Sequence, residues 1–154
     1  MSIAWRYLDK RSATIKALYD YSAMKHIVDT SQEDLSMEAE EIKSSLTNPS
    51  SSYSDGTPRA NNPRAGESRI IHLINKLNAD AERYQLAREY MNWFVPAWDH
   101  LSQEEQLILS LCYMTSDSKN AMDTICTKLN VERANAYKKR GRALERLQML
   151  LFGG

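Results

Sequence analysis

The chain has 154 residues, 42% hydrophobic and 26% charged, which suits one ordinary domain or a small domain plus an extended arm. Its 20 basic and 20 acidic side chains cancel, which argues against a generic polyanion binder. Five glycines and four prolines disfavour a turn-rich all-β fold, and two cysteines, Cys112 and Cys126, indicate no disulfide framework.

The N-terminal stretch MSIAWRYLDKRSAT lacks the apolar run and small-residue cleavage site of a signal peptide. No apolar run approaches the ~18 residues of a membrane span. The sequence therefore predicts a cytoplasmic protein with no membrane partner.

Residues 3–46 read as helix. Tyr7, Tyr21, Val28, Leu35 and Ile42 share a seven-residue frame, with Thr14 filling the gap. Ala17 and Met24 follow frame positions by three; Leu18, Ala39 and Leu46 follow by four. That spacing buries one stripe of a helix. Ser31, Glu38 and Ser45 interrupt it. A break is expected at 29–33, with Thr30 or Ser31 capping a second helix.

Residues 47–68 change character. Three of the four prolines and two of the five glycines fall there among Ser and Asn, predicting a flexible loop without regular structure over 48–66. A second helix is predicted over 67–95. Ile70, Leu77, Tyr84, Met91 and Trp98 repeat every seven residues; Leu73, Ala87, Phe94 and Leu101 take the companion positions. Ile74, Ala81 and Val95 widen the stripe, and Asp80 interrupts it. Pro96 should end or kink the helix near Val95. The two helices predict an antiparallel hairpin that buries its stripes internally or against a second copy. Residues 1–95 would form this arm and 96–154 a separate module. Tyr84, Tyr90, Trp93, Phe94 and Trp98 would form a core junction between them.

In the module, Ser102-Gln103-Glu104-Glu105 is a capping box, whose hydroxyl and carboxylate should satisfy helix-start amides reciprocally. The helix that follows places Leu107, Leu111 and Met114 on one side, beside Ile108 and Cys112. A helix over 119–129 directs Ala121, Met122, Ile125, Cys126 and Leu129 inward. Asn130 suits a left-handed turn, and Val131 tucks in behind it. A last helix over 132–151 buries Ala136, Ala143, Leu144, Leu147 and Leu151.

Short helix, tight turn and longer basic helix is helix-turn-helix organisation. Charge supports it: residues 128–154 hold 7 basic and 2 acidic groups, a net of +5 on an otherwise acidic chain. Arg133, Asn135, Tyr137, Lys138 and Arg142 are the candidate DNA-binding residues of the last helix, with Lys128 on the flank. Arginine suits guanine edges and lysine suits phosphate.

The segment LSQEEQLILSLCYM…AMDTICTKLNVERANAYKKRGRALERLQMLL resembles the fourth conserved region of bacterial sigma factors. Ile125, Leu129, Asn130, Val131, Ala143, Leu144 and Leu147 stand at the positions that carry the likeness. A closer resemblance is to small phage and prophage transcriptional regulators of the ArpU/RinA type, carried by Tyr137, Gly141-Arg142-Ala143-Leu144-Glu145, Leu147 and the Ser52–Pro58 stretch. The chain departs from the pattern at Cys126, Asn130, Glu132 and Lys139. Glu132 stands at the cap, where a carboxylate can also bond helix-start amides.

The resemblance implies an all-α regulator that binds double-stranded DNA, with RNA polymerase or another protein as a further partner and self-association through the long helices. Two other readings remain open: a DNA-packaging subunit of the small-terminase kind, and a sigma-like module that binds protein. No enzyme chemistry is expected. His26, His72 and His100 lack metal-ligand spacing, no Gly-rich phosphate loop is present, and no strand-turn-helix frames a nucleophile. No cofactor is expected.

Overall fold

A computed structural model describes residues 8–47 and 63–153. They form five α-helices: α1 Lys10–Thr47, α2 Pro63–Asp99, α3 Gln103–Leu109, α4 Ala121–Leu129 and α5 Arg133–Phe152. No strand occurs among the described residues, so the all-α expectation holds. By packing, the chain divides into two compact units: residues 1–25 with 89–154, and residues 26–88. The change of sequence character at 95/96 is not where that division falls.

α1 begins later than its apolar pattern. Asp9 precedes it, its carboxylate accepting from the Ser12 amide at 3.2 Å and the Ser12 hydroxyl at 2.8 Å. Those hydrogen bonds hold the Asp9 carboxyl below its ordinary pKa. Residues 3–7, including Tyr7, lie outside the described residues. The expected break at 29–33 is absent, and α1 is continuous there. Thr30 caps nothing; its hydroxyl donates to the His26 carbonyl at 2.8 Å, one turn back. Ser36 and Ser45 do the same. Such back-bonding satisfies a short polar side chain inside a helix without ending it.

α2 is longer than expected at both ends. Residues 63–66, read as loop, are helical. Proline at a first helical position lacks only an amide that has no intrahelical partner. The Ser52–Pro58 stretch lies outside the described residues. At the other end Pro96 does not stop the helix, which runs on to Asp99. Pro96 is solvent-exposed while Phe94, Ala97 and Leu101 around it are buried. Burial of that stripe outweighs one missing backbone hydrogen bond.

In the first unit, the start of α1 and the end of α2 pack on α5. Ala17, Leu18, Phe94, Ala97, Leu101, Leu109, Leu144, Leu147, Leu151 and Phe152 form one core. The predicted aromatic junction is part of it. Phe94 stacks on Tyr90 and Trp98, and Trp93 donates its indole N–H to the Leu151 carbonyl at 3.2 Å. Tyr90 hydrogen-bonds the Ala17 carbonyl, and burial raises its pKa. Tyr84 falls in the other unit.

The second unit is the arm, whose two segments run antiparallel. Glu41 faces Arg69 at 4.0 Å, and Glu38 faces Lys76 at 3.4 Å. The seven-residue frame survives in weakened form: Ile42 is buried, while Val28, Leu35, Ile70, Leu77 and Tyr84 are half-buried. The positions expected to widen the stripes do not. Ala39, Leu46, Ile74 and Ala81 are exposed, because two helices alone cover only a narrow seam.

Candidate nucleic-acid interface

The C-terminal helices are placed by caps and by a second core. Ser102 accepts from the Glu105 amide at 3.2 Å, as a capping box requires. The reciprocal half differs from expectation. The Glu105 carboxylate takes the Ser102 hydroxyl at 3.0 Å and the Arg146 guanidinium at 2.8 Å. Both go to one carboxylate oxygen, Oε1, so the carboxylate is turned toward α5 and away from the Ser102 amide. α3 then opens into a π-helical turn over Ser110–Met114, which no residue pattern announced.

Ile108, Cys112, Ala121, Met122, Ile125 and Ala136 form the second core, with Leu111, Cys126, Leu129 and Val131 against it. It joins α3, α4 and the first turns of α5. The turn between α4 and α5 is Asn130-Val131-Glu132. Asn130 is left-handed at φ 50, as anticipated, and the Val131 amide reaches back to the Cys126 carbonyl at 3.2 Å. Glu132 has extended backbone at the start of α5, but its side chain makes no capping hydrogen bond. The expected carboxylate cap is therefore not formed.

α5 buries Ala136, Ala143, Leu144, Leu147 and Leu151, the predicted stripe, together with Phe152. Four of its six cations fall into two sets. Lys139 is half-buried and pairs with Glu104 at 2.5 Å; Arg146 pairs with Glu105. These two tie α5 to α3. Lys128, Lys138 and Arg142 are exposed and make no ion pair among the described residues. Asn135 is exposed, and Tyr137 is 44% exposed. All six candidate side chains thus reach solvent from α5 or the last turn of α4.

Arg133 is not a lone cation. Its guanidinium meets the Asp123 carboxylate of α4 at 3.2 Å, across the turn. Tyr137 stands one helical turn on; its nearness first, and then the Asp123 charge, raise the arginine's pKa. On its far side Tyr137 lies under the Arg140 guanidinium, 5.0 Å from the ring centroid. Arg140 is half-buried, and its charge partly offsets the effect of burial, which pushes the Cys112 thiol up.

Asp123 and Arg140 were not singled out from the sequence. The 133, 137, 140 spacing puts three side chains on one face of α5, and that was readable. The pairing with Asp123 depends on the angle between helices and was not. Among the described residues no group of three or more His, Cys, Asp or Glu is placed to hold a metal, and no helix is long and apolar enough to cross a membrane. Comparison with protein-family models, curated proteins and solved structures found no match to this chain.

Proposed function

We propose that this chain is a sequence-specific DNA-binding transcriptional regulator, phage- or prophage-encoded, and not an enzyme. On this reading α4, the Asn130 turn and α5 act as a helix-turn-helix of the sigma region 4 kind, with α5 in the major groove. One observation carries it. The cations of α5 are sorted: Lys139 and Arg146 are spent on α3, while Lys138 and Arg142 are exposed and make no ion pair among the described residues. A merely solvated basic helix has no reason to keep its unpaired charges on the half that follows the turn.

Lys128, Lys138 and Arg142 would meet phosphates, and Arg133 and Asn135 base edges. The arm supports self-association, because Met37, Leu46, Ile71 and Ile74 expose apolar surface that the hairpin leaves uncovered.

A gel shift with phage or prophage DNA flanking its own gene tests the reading, repeated across salt concentrations. The Arg133, Tyr137, Lys138, Arg142 quadruple alanine variant should lose affinity and flatten the salt dependence. A folded variant with unchanged affinity and slope would overturn the proposal in favour of a protein-binding module. Mass measurement of the unbound protein should give a dimer or another small oligomer; a ring of eight or more would favour DNA packaging instead.

A further inference from the structure

We infer that Asp123 is a positioning residue for DNA readout: its carboxylate aims the Arg133 guanidinium at a guanine edge and so sets sequence discrimination at one base pair. This rests on the DNA-binding reading above. An acidic side chain at a face meant for phosphates is unfavourable for affinity, so its presence beside the reading arginine needs a use.

The geometry supplies one. Asp123 stands in the first turn of α4 and Arg133 in the first turn of α5, ten residues apart in sequence and 3.2 Å apart in space. One carboxylate oxygen, Oδ1, takes one terminal nitrogen, Nη1, so the remaining guanidinium donors stay available to a base. Tyr137 stands one turn along the helix from Arg133, with the Arg140 guanidinium over its ring, 5.0 Å from the centroid.

An arginine on a flexible stem loses rotamer freedom on binding; the Asp123 contact removes part of that loss beforehand. The pair is exposed on both sides, with side chains 64% and 68% accessible, so bulk solvent screens it. Its contribution is therefore to direction more than to strength. The acid also disfavours a phosphate at that spot, which penalises misregistered complexes.

The test uses the full chain and a random-sequence duplex pool. Wild-type protein is taken through selection, and the base pair whose preference Arg133→Ala abolishes is identified. Affinity is then measured for the selected duplex, for the same duplex altered at that pair, and for unselected duplex. Asp123→Asn should reduce discrimination at that pair about two- to fivefold, the range an exposed ion pair allows. It should raise affinity for unselected duplex, because a negative charge has left the phosphate-facing surface. Asp123→Glu should restore part of the discrimination. In the Arg133→Ala background Asp123→Asn should change discrimination no further.

A merely structural role would lower affinity for every duplex together. If wild type selects a motif and Asp123→Asn keeps full discrimination at the Arg133 pair, the positioning role is overturned and DNA reading stands. If wild type selects no motif, the positioning role and the DNA reading fail together.

Discussion

Glu38 and Asp80 are two half-buried carboxylates lining one groove of the arm, with Lys76 Nζ 3.4 Å from Glu38. Both stand at inward positions of the seven-residue frame, where the pattern calls for an apolar side chain. Arg83 lies 4.0 Å from Asp80, and His26, Asp34 and Glu41 line the same groove. The two interruptions read separately in the sequence are thus one polar layer. Burial first, and the neighbouring Asp80 carboxylate second, raise the Glu38 pKa.

The pH dependence follows from that shift. The folded arm retains a Glu38 proton that the unfolded chain releases near its ordinary pKa of 4.5. The corresponding stability is full below that value and is lost as pH rises through the higher folded value. Glu38→Gln keeps the hydrogen-bonding capacity without the charge. Its Tm should exceed that of the wild type at pH 7, and the gap should close in acid. Thermal melts at both pH values read this directly; a gap of equal size at both would exclude a raised Glu38 pKa.

Pro96 costs α2 a backbone hydrogen bond at a solvent-exposed position. Pro96→Ala should therefore stabilise the protein, by up to about 3 kcal/mol. Urea denaturation gives the answer as a shift of midpoint. A lower midpoint would mean that proline is required for the course of the helix.

Phe94 is fully buried against Tyr21, Tyr90 and Trp98 in the core of the first unit. Truncation to alanine removes most of a large side chain and leaves a cavity. Phe94→Ala should cost about 3–5 kcal/mol. Met37, 70% exposed, is the contrast: Met37→Ser should leave monomer stability within about 0.5 kcal/mol. Denaturation of the two variants at low protein concentration separates core from surface.

Lys138 and Lys139 are neighbours with different tasks. Lys138→Ala should weaken binding to all duplexes alike and flatten the salt dependence. Lys139→Ala breaks the pair with Glu104 and should act mainly on stability. Binding isotherms at several salt concentrations distinguish them; equal slopes for the two variants would contradict the sorting of cations on α5.

Much of this was legible because period and punctuation were strong. The Ala136–Leu151 stripe, the Asn130 turn and the Ser102 cap each have a local cause, and each is found. The failures have a common physical source. Thr30 reads as a cap and Pro96 as a stop because both are judged from neighbours in sequence. Their actual behaviour is decided by back-bonding within the helix and by burial of Phe94 and Leu101. The π-helical turn at Ser110–Met114 left no trace in residue type. For the candidate interface, the exposure of Lys138 and Arg142 was readable from the stripe, whereas Arg133 and Tyr137 share its angular sector and are exposed all the same. Which exposed cations are already paired was not, because Glu104, Glu105 and Asp123 lie on other helices.

The first unit draws on two stretches of chain, residues 1–25 and 89–154. A gene fragment beginning at residue 96, where the sequence changes character, would leave out Leu18 and Phe94. It would emerge from the ribosome with the Leu144–Leu147 side of α5 bare and prone to stick to other chains. Any graft, truncation or recombinant exchange of this module has to carry both flanking pieces. Inheritance of the C-terminal helices is thereby tied to inheritance of residues near the start of the chain.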